Sequence, residues 1–530
     1  MSTDAQSPQN TSATHNPARR ARLTRVARAS LLVSAFFAID KLLGMFRQVV
    51  IARQFGVSAE LDAFNAANNI PDLLFALIAG GALAIALIPV LTETLDLSGR
   101  EAMWRLFSRV ANWAFLITAG VAVIVYFAAE PIVQAEIGVA PGFTPEMQAL
   151  VVDLMRLNLV ATLLFSLSGL MMAGLQSNQH FFLPALAPVM YDVGQIFGAL
   201  VLAPSTPISI GPITLPAFGL GVNGLVYGVI LGAGLHLLTQ VPGLFRYRFR
   251  WSPVLNTADL GLHKVARMMG PRILTIAAFN LVFVATDNLA SRLEVGSVTA
   301  LVYGWLIMQV PETLLATAIG TALLPTLSEQ FARREPAQFE ASLARANRAL
   351  LALTLPITLI LCLTLYPLVE AVFGLDAEAT RLVVQTAQAF LLGLAGHSLL
   401  EVTARGFYAR QNAVVPLAGA MIGLACFVAL ALVLYQPLGS AGIALANSLA
   451  FTLQAILLLL ILRRSFPAVL QLGGPLLRGA AAAALGGAVV LLVMRLAPVS
   501  PAPAAMLALL AGGLAALLPI FPYVRSLARL

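Results

Sequence analysis

An all-α polytopic membrane protein of about fourteen spanning helices is the fold class this sequence predicts, and three observations predict it. The 530 residues are 59% hydrophobic and only 11% charged, where soluble proteins carry roughly 25% charged residues. The apolar residues fall into runs long enough to cross a hydrocarbon core, which takes about 20 residues each. The loops between the runs alternate in charge. Arg19, Arg20, Arg22, Arg25 and Arg28 crowd the start, and Arg100, Arg105 and Arg109 mark the next loop of the same phase. Later loops of that phase carry Arg246, Arg248, Arg250, Lys264 and Arg267, then Arg333, Arg334, Arg345 and Arg348, then Arg405 and Arg410, then Arg463, Arg464 and Arg478. The loops between them are nearly bare of base; the one at about 129–149 has Glu130, Glu136 and Glu146 and no Lys or Arg. Basic loops stay cytoplasmic, so the alternation predicts an even helix count with both ends inside.

Residues 1–27 are polar and rich in Ser, Thr, Pro and Arg, which predicts a disordered basic cytoplasmic tail. The first six helices are expected near 28–54, 60–93, 103–128, 147–174, 180–203 and 214–243, forming an N-terminal lobe over 28–245. A charged cytoplasmic linker, 246–263, divides them from a second lobe over 264–465. Its helices are expected near 264–292, 297–328, 343–373, 380–404, 412–435 and 440–463. Residues 466–530 add two helices, near 475–496 and 503–524, made almost only of Ala, Leu, Gly, Val and Pro.

Helix 2 is interrupted by Asn68-Asn69-Ile70-Pro71-Asp72, then Gly80-Gly81, then Pro89; helix 8 has Pro311 and Pro325 with Gly320 between. Both are second in their lobe. Broken helices at corresponding positions mark the moving, substrate-facing part of a transporter, so Gly80, Gly81 and Pro311 are candidate gating positions. Ordinary kinks are the alternative, because Pro and Gly are common in membrane helices.

A charge at mid-bilayer costs about 2.5–3.5 kcal/mol on insertion scales, so embedded charges need a reason. Helix 1 has Asp40, Lys41 and Arg47. Asp40 and Arg47, seven apart, share nearly one face and are expected to pair; Lys41 is turned about 100° from Asp40. Read functionally, these residues form a cationic wall for an anionic headgroup. Read structurally, they are an ion pair beside a snorkelling lysine. Asp62 is either a helix N-terminal carboxylate or a gate residue. Arg156 and Asn158 are candidates to line a cavity, and Asp192, Gln195, Asn280, Asp287 and Glu401 are further embedded polar groups. Asp287 is a candidate coupling residue for a proton or Na⁺, expected near the outer interface.

Signals for other classes are absent. No Walker glycine loop occurs, the five histidines show no metal spacing, and no metal or cofactor is expected. Cys362 and Cys426 lie far apart inside apolar runs and read as small core residues. The net charge of +8 sits in loops of one phase, which fits topology and anionic lipid headgroups rather than nucleic acid.

Several stretches together resemble the MurJ (MviN) family of lipid II flippases, in the multidrug/oligosaccharidyl-lipid/polysaccharide exporter superfamily. They begin with Lys41-Leu-Leu-Gly44-Met-Phe-Arg47, Ala52-Arg-Gln-Phe55-Gly56, Asp62-Ala63-Phe64 and Ile70-Pro71-Asp72-Leu73-Leu74. Pro184 to Val189, Pro311, Gly320 to Ser328, Gly406 to Gln411 with Pro416, and Pro437 to Ala446 follow in order. The resemblance covers about residues 25–465. It implies two six-helix lobes around a central cavity, two extra helices that hold a lipid tail, and alternating access carrying lipid II outward across the bacterial cytoplasmic membrane. It implies a lipid-linked anionic glycan as substrate, with membrane lipids and cell-wall synthesis proteins as partners. Lys41, Arg47, Asp62 and Arg156 are then the candidate substrate-binding residues, with Asp40 and Asp287 as coupling or gating candidates. Phe75 and Leu306 stand where the family carries arginines, which predicts a less cationic cavity. Export of another lipid-linked glycan, export of a cation-coupled small molecule, and a non-transporting membrane scaffold are the alternatives.

Overall fold

The computed structural model describes residues 17–80, 82–255 and 260–527. Its elements are helices, apart from one short hairpin. The chain opens with α1 (Pro17–Phe55) and α2 (Ala59–Leu74), then a π-helical turn (Phe75–Gly80) and α3 (Ala82–Gln134). Next come α4 (Pro145–Ser177), α5 (Phe182–Phe197) with a π-helical turn (Gly198–Leu202), and α6 (Val222–Arg246). The second half holds α7 (Leu260–Ala290), α8 (Ser297–Glu312), a π-helical turn (Thr313–Thr317), α9 (Ala318–Ala332) and α10 (Pro336–Phe373). It continues with α11 (Ala377–Leu392), α12 (Leu394–Ala409) and α13 (Val414–Arg463), and ends in α14 (Gly473–Leu496) and α15 (Pro501–Leu527).

Two of these helices are broken where glycine leaves helical geometry. Gly99 sits at φ 82° inside α3 and Gly439 at φ 59° inside α13, a region in which glycine has no Cβ to clash. Each break turns one continuous run into two spans. With α2 and the part of α3 before Gly99 taken as one interrupted span, α8–α9 as one span and α11–α12 as one bent span, the described residues give the fourteen helices expected. On length and apolarity alone, nine of the described helices could cross a membrane, or ten with the bent α11–α12 pair. Helices α1, α2 and α7 carry charged side chains within their apolar runs. Those three also supply Arg47, Asp72 and Asp287 to the cavity described below.

Two local expectations need correction. The segment 1–27 is not disordered throughout: α1 begins at Pro17, and residues 1–16 lie outside the described residues. Proline is preorganised for the first helical position, and the Ala and Arg residues behind it are strong helix formers, so the apolar helix extends back into the tail. The sixth span starts at Val222 rather than 214, because Ile208–Ile210 and Ile213–Leu215 pair as an antiparallel hairpin. Gly211, at φ 60°, makes that turn. The linker after α6 is held along α3: Trp104 Nε1 donates to the Tyr247 carbonyl (3.0 Å), and Asn112 Nδ2 to that of Ser252 (2.8 Å).

Helices α1–α6 pack as one group and α7–α13 as a second, while α14 and α15 pack on each other and on α10. A tight seam lies between α6 and α5 with its π-helical turn. A Cβ placed on Gly194 would stand 2.3 Å from Gly232 Cα, and one on Gly198 would stand 2.6 Å from Gly228 Cα. Small residues let membrane helices approach this closely, and packing rather than the hydrophobic effect holds them together. Gly194→Ala is therefore expected to cost about 1–3 kcal/mol as overpacking, read as a lower unfolding temperature in detergent. Gly513→Ala, with nothing within 4 Å, is the control expected to show no loss.

Candidate functional site

A cavity of about 630 Å³ lies against α1, α2, α4, α5, α6, α7 and α8. Arg47 of α1 projects into it, and its Nη1 donates to Asp192 Oδ1 on α5 at 2.7 Å. Both side chains are largely buried, 18% and 5% exposed. The wall opposite is a face of α2: Asn65, Asn68, Asn69 and Asp72 fall at i, i+3, i+4 and i+7, one stripe of a helix. Asn65 donates to Thr299 Oγ1 (3.2 Å), Asn68 accepts from Asn158 of α4, and Asn69 donates to Asp287 of α7. Gln195, His236 and Tyr303 add polar atoms, and Phe75 and Phe165 meet at 5.2 Å between ring centroids. The lining combines one arginine, already neutralised, with Asp72, Asp287 and a belt of amides. It suits a large ligand with many hydroxyl and amide groups.

The four candidate binding residues separate in space. Arg47 lines the cavity; Lys41, Asp62 and Arg156 do not. Lys41 is exposed, 3.6 Å from Asp40 and 5.2 Å above the Phe37 ring. It is six positions from Arg47, which turns it to another side of α1. Arg156 donates to the Tyr126 carbonyl (3.1 Å) and lies within 4 Å of Glu130 and Asp153. It is two positions from Asn158, hence on the opposite face of α4. The expected Asp40–Arg47 pair does not form. Seven residues rise about 10 Å along a helix, too far for a short aspartate to span, and Asp192 approaches from a neighbouring helix instead.

Asp62 is 1% exposed and fully engaged. Its carboxylate accepts from Gly296 N (2.6 Å), Thr299 N (2.7 Å) and Thr299 Oγ1 (2.6 Å), capping α8 from α2. The α2 N-terminus is capped by Ser58 instead, so Asp62 serves the other group's helix rather than its own. Exposed N–H groups and the positive end of the helix dipole favour a carboxylate there. Other links between the two groups gather at the same end. Arg53 donates to the Val372 and Ala371 carbonyls, Arg292 pairs with Glu136 at 2.7 Å, and Asn288 donates to the Gly138 carbonyl at 2.6 Å. Gly142 N donates to Ser291 Oγ at 3.1 Å.

Asp287 lines the cavity, one position before Asn288 of that same end. Pro71 precedes the π-helical turn at Phe75–Gly80, and Pro311 precedes the one at Thr313–Thr317. Gly80 ends the first turn, and Gly81 lies outside the described residues. The α2 amide stripe had a sequence signal, a polar i, i+3, i+4, i+7 spacing, which reading Asn68 to Asp72 only as a helix break passes over. The role of Asp192 had none.

A family profile described as "Lipid II flippase MurJ" matches residues 51–512. The "Lipid II flippase MurJ" of Burkholderia cenocepacia is 32% identical over 450 residues, covering 82% of this chain and 84% of the relative. A "Probable lipid II flippase MurJ" of Vibrio cholerae is 27% identical over 448 residues, 82% of each chain. Among solved structures, "Lipid II flippase MurJ, inward closed conformation" superposes with a TM-score of 0.76 at 21% identity, covering 94% of this chain and 100% of that one. An inward-facing multidrug transporter of the MATE family superposes at a TM-score of 0.68 and 14% identity, covering 82% of this chain and 98% of that one, so the fold is shared with that structure. With the family profile spanning most of the sequence and the Burkholderia relative above 30% identity, the chain belongs to the lipid II flippase MurJ family.

Proposed function

We propose that the protein is a flippase that moves a polyprenyl-pyrophosphate-linked peptidoglycan precursor, lipid II, from the inner to the outer leaflet by alternating access. It is a multi-pass protein of the bacterial cytoplasmic membrane and a transporter rather than an enzyme. The single observation that carries the mechanism is Arg47, a buried guanidinium in a large amide-lined cavity between two helix groups. Arg47 contacts the pyrophosphate, because its planar fork matches phosphate oxygens. Asn65, Asn68, Asn158 and Gln195 provide donors and acceptors for sugar and peptide groups.

The basic loops put both termini in the cytoplasm, so the end held together by Asp62, Arg53 and Arg292 faces outward. The described conformation is then closed to the outside. Opening requires α2 to part from α8, and the π-helical turns after Pro71 and Pro311 are where these two helices bend. Asp62 acts as a latch rather than a substrate ligand. Lys41, exposed on α1, meets the headgroup only outside the cavity, and Arg156 braces α3 against α4. Asp287 clasps α7 to the α2 stripe through Asn69.

Reporter fusions after Arg100, Arg250, Arg333 and Arg410 are expected to score cytoplasmic, and fusions at Glu136 and Asp376 external. A reversed sign at any of these sites overturns the orientation. For function, expression in a flippase-depleted strain is expected to restore growth and clear accumulated lipid II. Normal membrane abundance with lipid II still accumulating would reject this substrate.

A further inference from the structure

We propose that Asp192 is a displaceable counter-ion, which occupies the phosphate position on Arg47 in the empty cavity and yields it when the anionic headgroup enters. The inference rests on Arg47 being the pyrophosphate contact and adds a residue of α5 to that reading.

Three features of the pair support it. The contact is single: Nη1 meets Oδ1 at 2.7 Å, while Arg47 Nε is buried with no hydrogen-bond partner among the described residues. Half of the guanidinium fork is thus unused, although a phosphate could engage two of its donors. Asp192 makes no other hydrogen bond among the described residues, in contrast to Asp62, which three donors hold. One carboxylate is locked, the other only parked. Finally, Asp192 rests against α1 where there is no side chain. A Cβ built on Gly44, one turn before Arg47, would lie 3.6 Å from Asp192 Oδ2, so the carboxylate packs on the α1 backbone with no side chain over it.

The physical need arises in the return half of the cycle. A buried, unpaired guanidinium is strongly unfavourable, so an empty carrier with a bare Arg47 would resist closing around it. A permanent, well-satisfied ion pair would instead exclude the substrate. A monodentate partner avoids both: it neutralises the empty site and loses to a ligand offering more oxygens in better geometry. Asp192 thereby sets the affinity of the site for anions.

The test is binding of inorganic pyrophosphate to the full-length protein in detergent, by calorimetry. Asp192→Asn is expected to tighten binding about tenfold, equivalent to ~1.4 kcal/mol, whereas damage to the fold would weaken it. Asp192→Glu, which keeps the charge, is expected to stay near wild type. Asp192→Ser, smaller than the native residue, is expected to tighten binding as Asn does and covers failure of the Asn variant to fold. Adding Asp192→Asn to Arg47→Ala is expected to give no gain. Should neutralising Asp192 leave affinity unchanged or lower it while Arg47→Ala weakens binding, the counter-ion role is wrong and the Arg47 reading stands. Unchanged affinity in Arg47→Ala overturns both. Absence of binding to the Asp192→Asn and Asp192→Ser proteins at millimolar pyrophosphate also overturns the counter-ion role.

Discussion

Arg47→Ala is expected to abolish rescue of a flippase-depleted strain, the largest effect of any single change in the cavity. Two losses combine in it. The pyrophosphate loses its guanidinium contact, and Asp192 becomes a buried carboxylate without a partner, a break worth about 3–5 kcal/mol. The second loss lowers the amount of folded protein, so it must be separated from the first. Pairing Arg47→Ala with Asp192→Asn removes the stranded charge and is expected to restore membrane abundance without restoring transport. Arg47→Lys is expected to retain abundance but impair transport, because a lysine offers a point charge in place of a planar fork. Immunoblotting of membranes beside growth and lipid II levels distinguishes these cases. Full rescue by Arg47→Ala at normal abundance would remove the central contact of the mechanism.

The second large effect is expected at Asp62, and it concerns conformation. Asp62→Ala removes three hydrogen bonds between α2 and the start of α8. Hydrogen bonds to a charged group contribute about 1.5–3 kcal/mol each, and not additively. A net loss of about 3 kcal/mol would shift the ratio of outward-closed to outward-open protein on the order of 100-fold. The readout is a single cysteine at Gln48→Cys, on the cavity wall, in a background with Cys362 and Cys426 replaced. Its reaction with an impermeant thiol reagent added outside is expected to be slow in the parent and much faster with Asp62→Ala. Equal rates in the two proteins would mean that Asp62 does not hold the outer face shut.

Much of the fold was legible in the sequence because its signals are local. Apolar runs of spanning length and the alternation of basic loops carry helix number directly, and Gly99 and Gly439 break long runs where the count requires it. The site was legible only in part. Periodicity says which residues share a face of one helix, so it offered Asp40 as the partner of Arg47. It cannot say which helix lies opposite, and the partner, Asp192, is 145 positions away in sequence. Asp62 shows the same limit: its donors at Gly296 and Thr299 are 234 and 237 positions away. Lys41 and Arg156 were drawn in by their charge, although their angular positions on α1 and α4 turn them from the cavity. The α2 stripe of Asn65, Asn68, Asn69 and Asp72 was within reach of sequence reasoning, since its spacing alone defines one polar helical face.

The most direct test is lipid II translocation in spheroplasts of a flippase-depleted strain that carry this protein or an empty vector. A membrane-impermeant hydrolase that cleaves lipid II is added outside, and the cleaved fraction reports how much substrate has reached the outer leaflet. With the wild-type protein most lipid II is expected to become cleavable, and with the empty vector or Arg47→Ala it is expected to stay protected. Protection that persists with abundant wild-type protein in the membrane would contradict the flippase function.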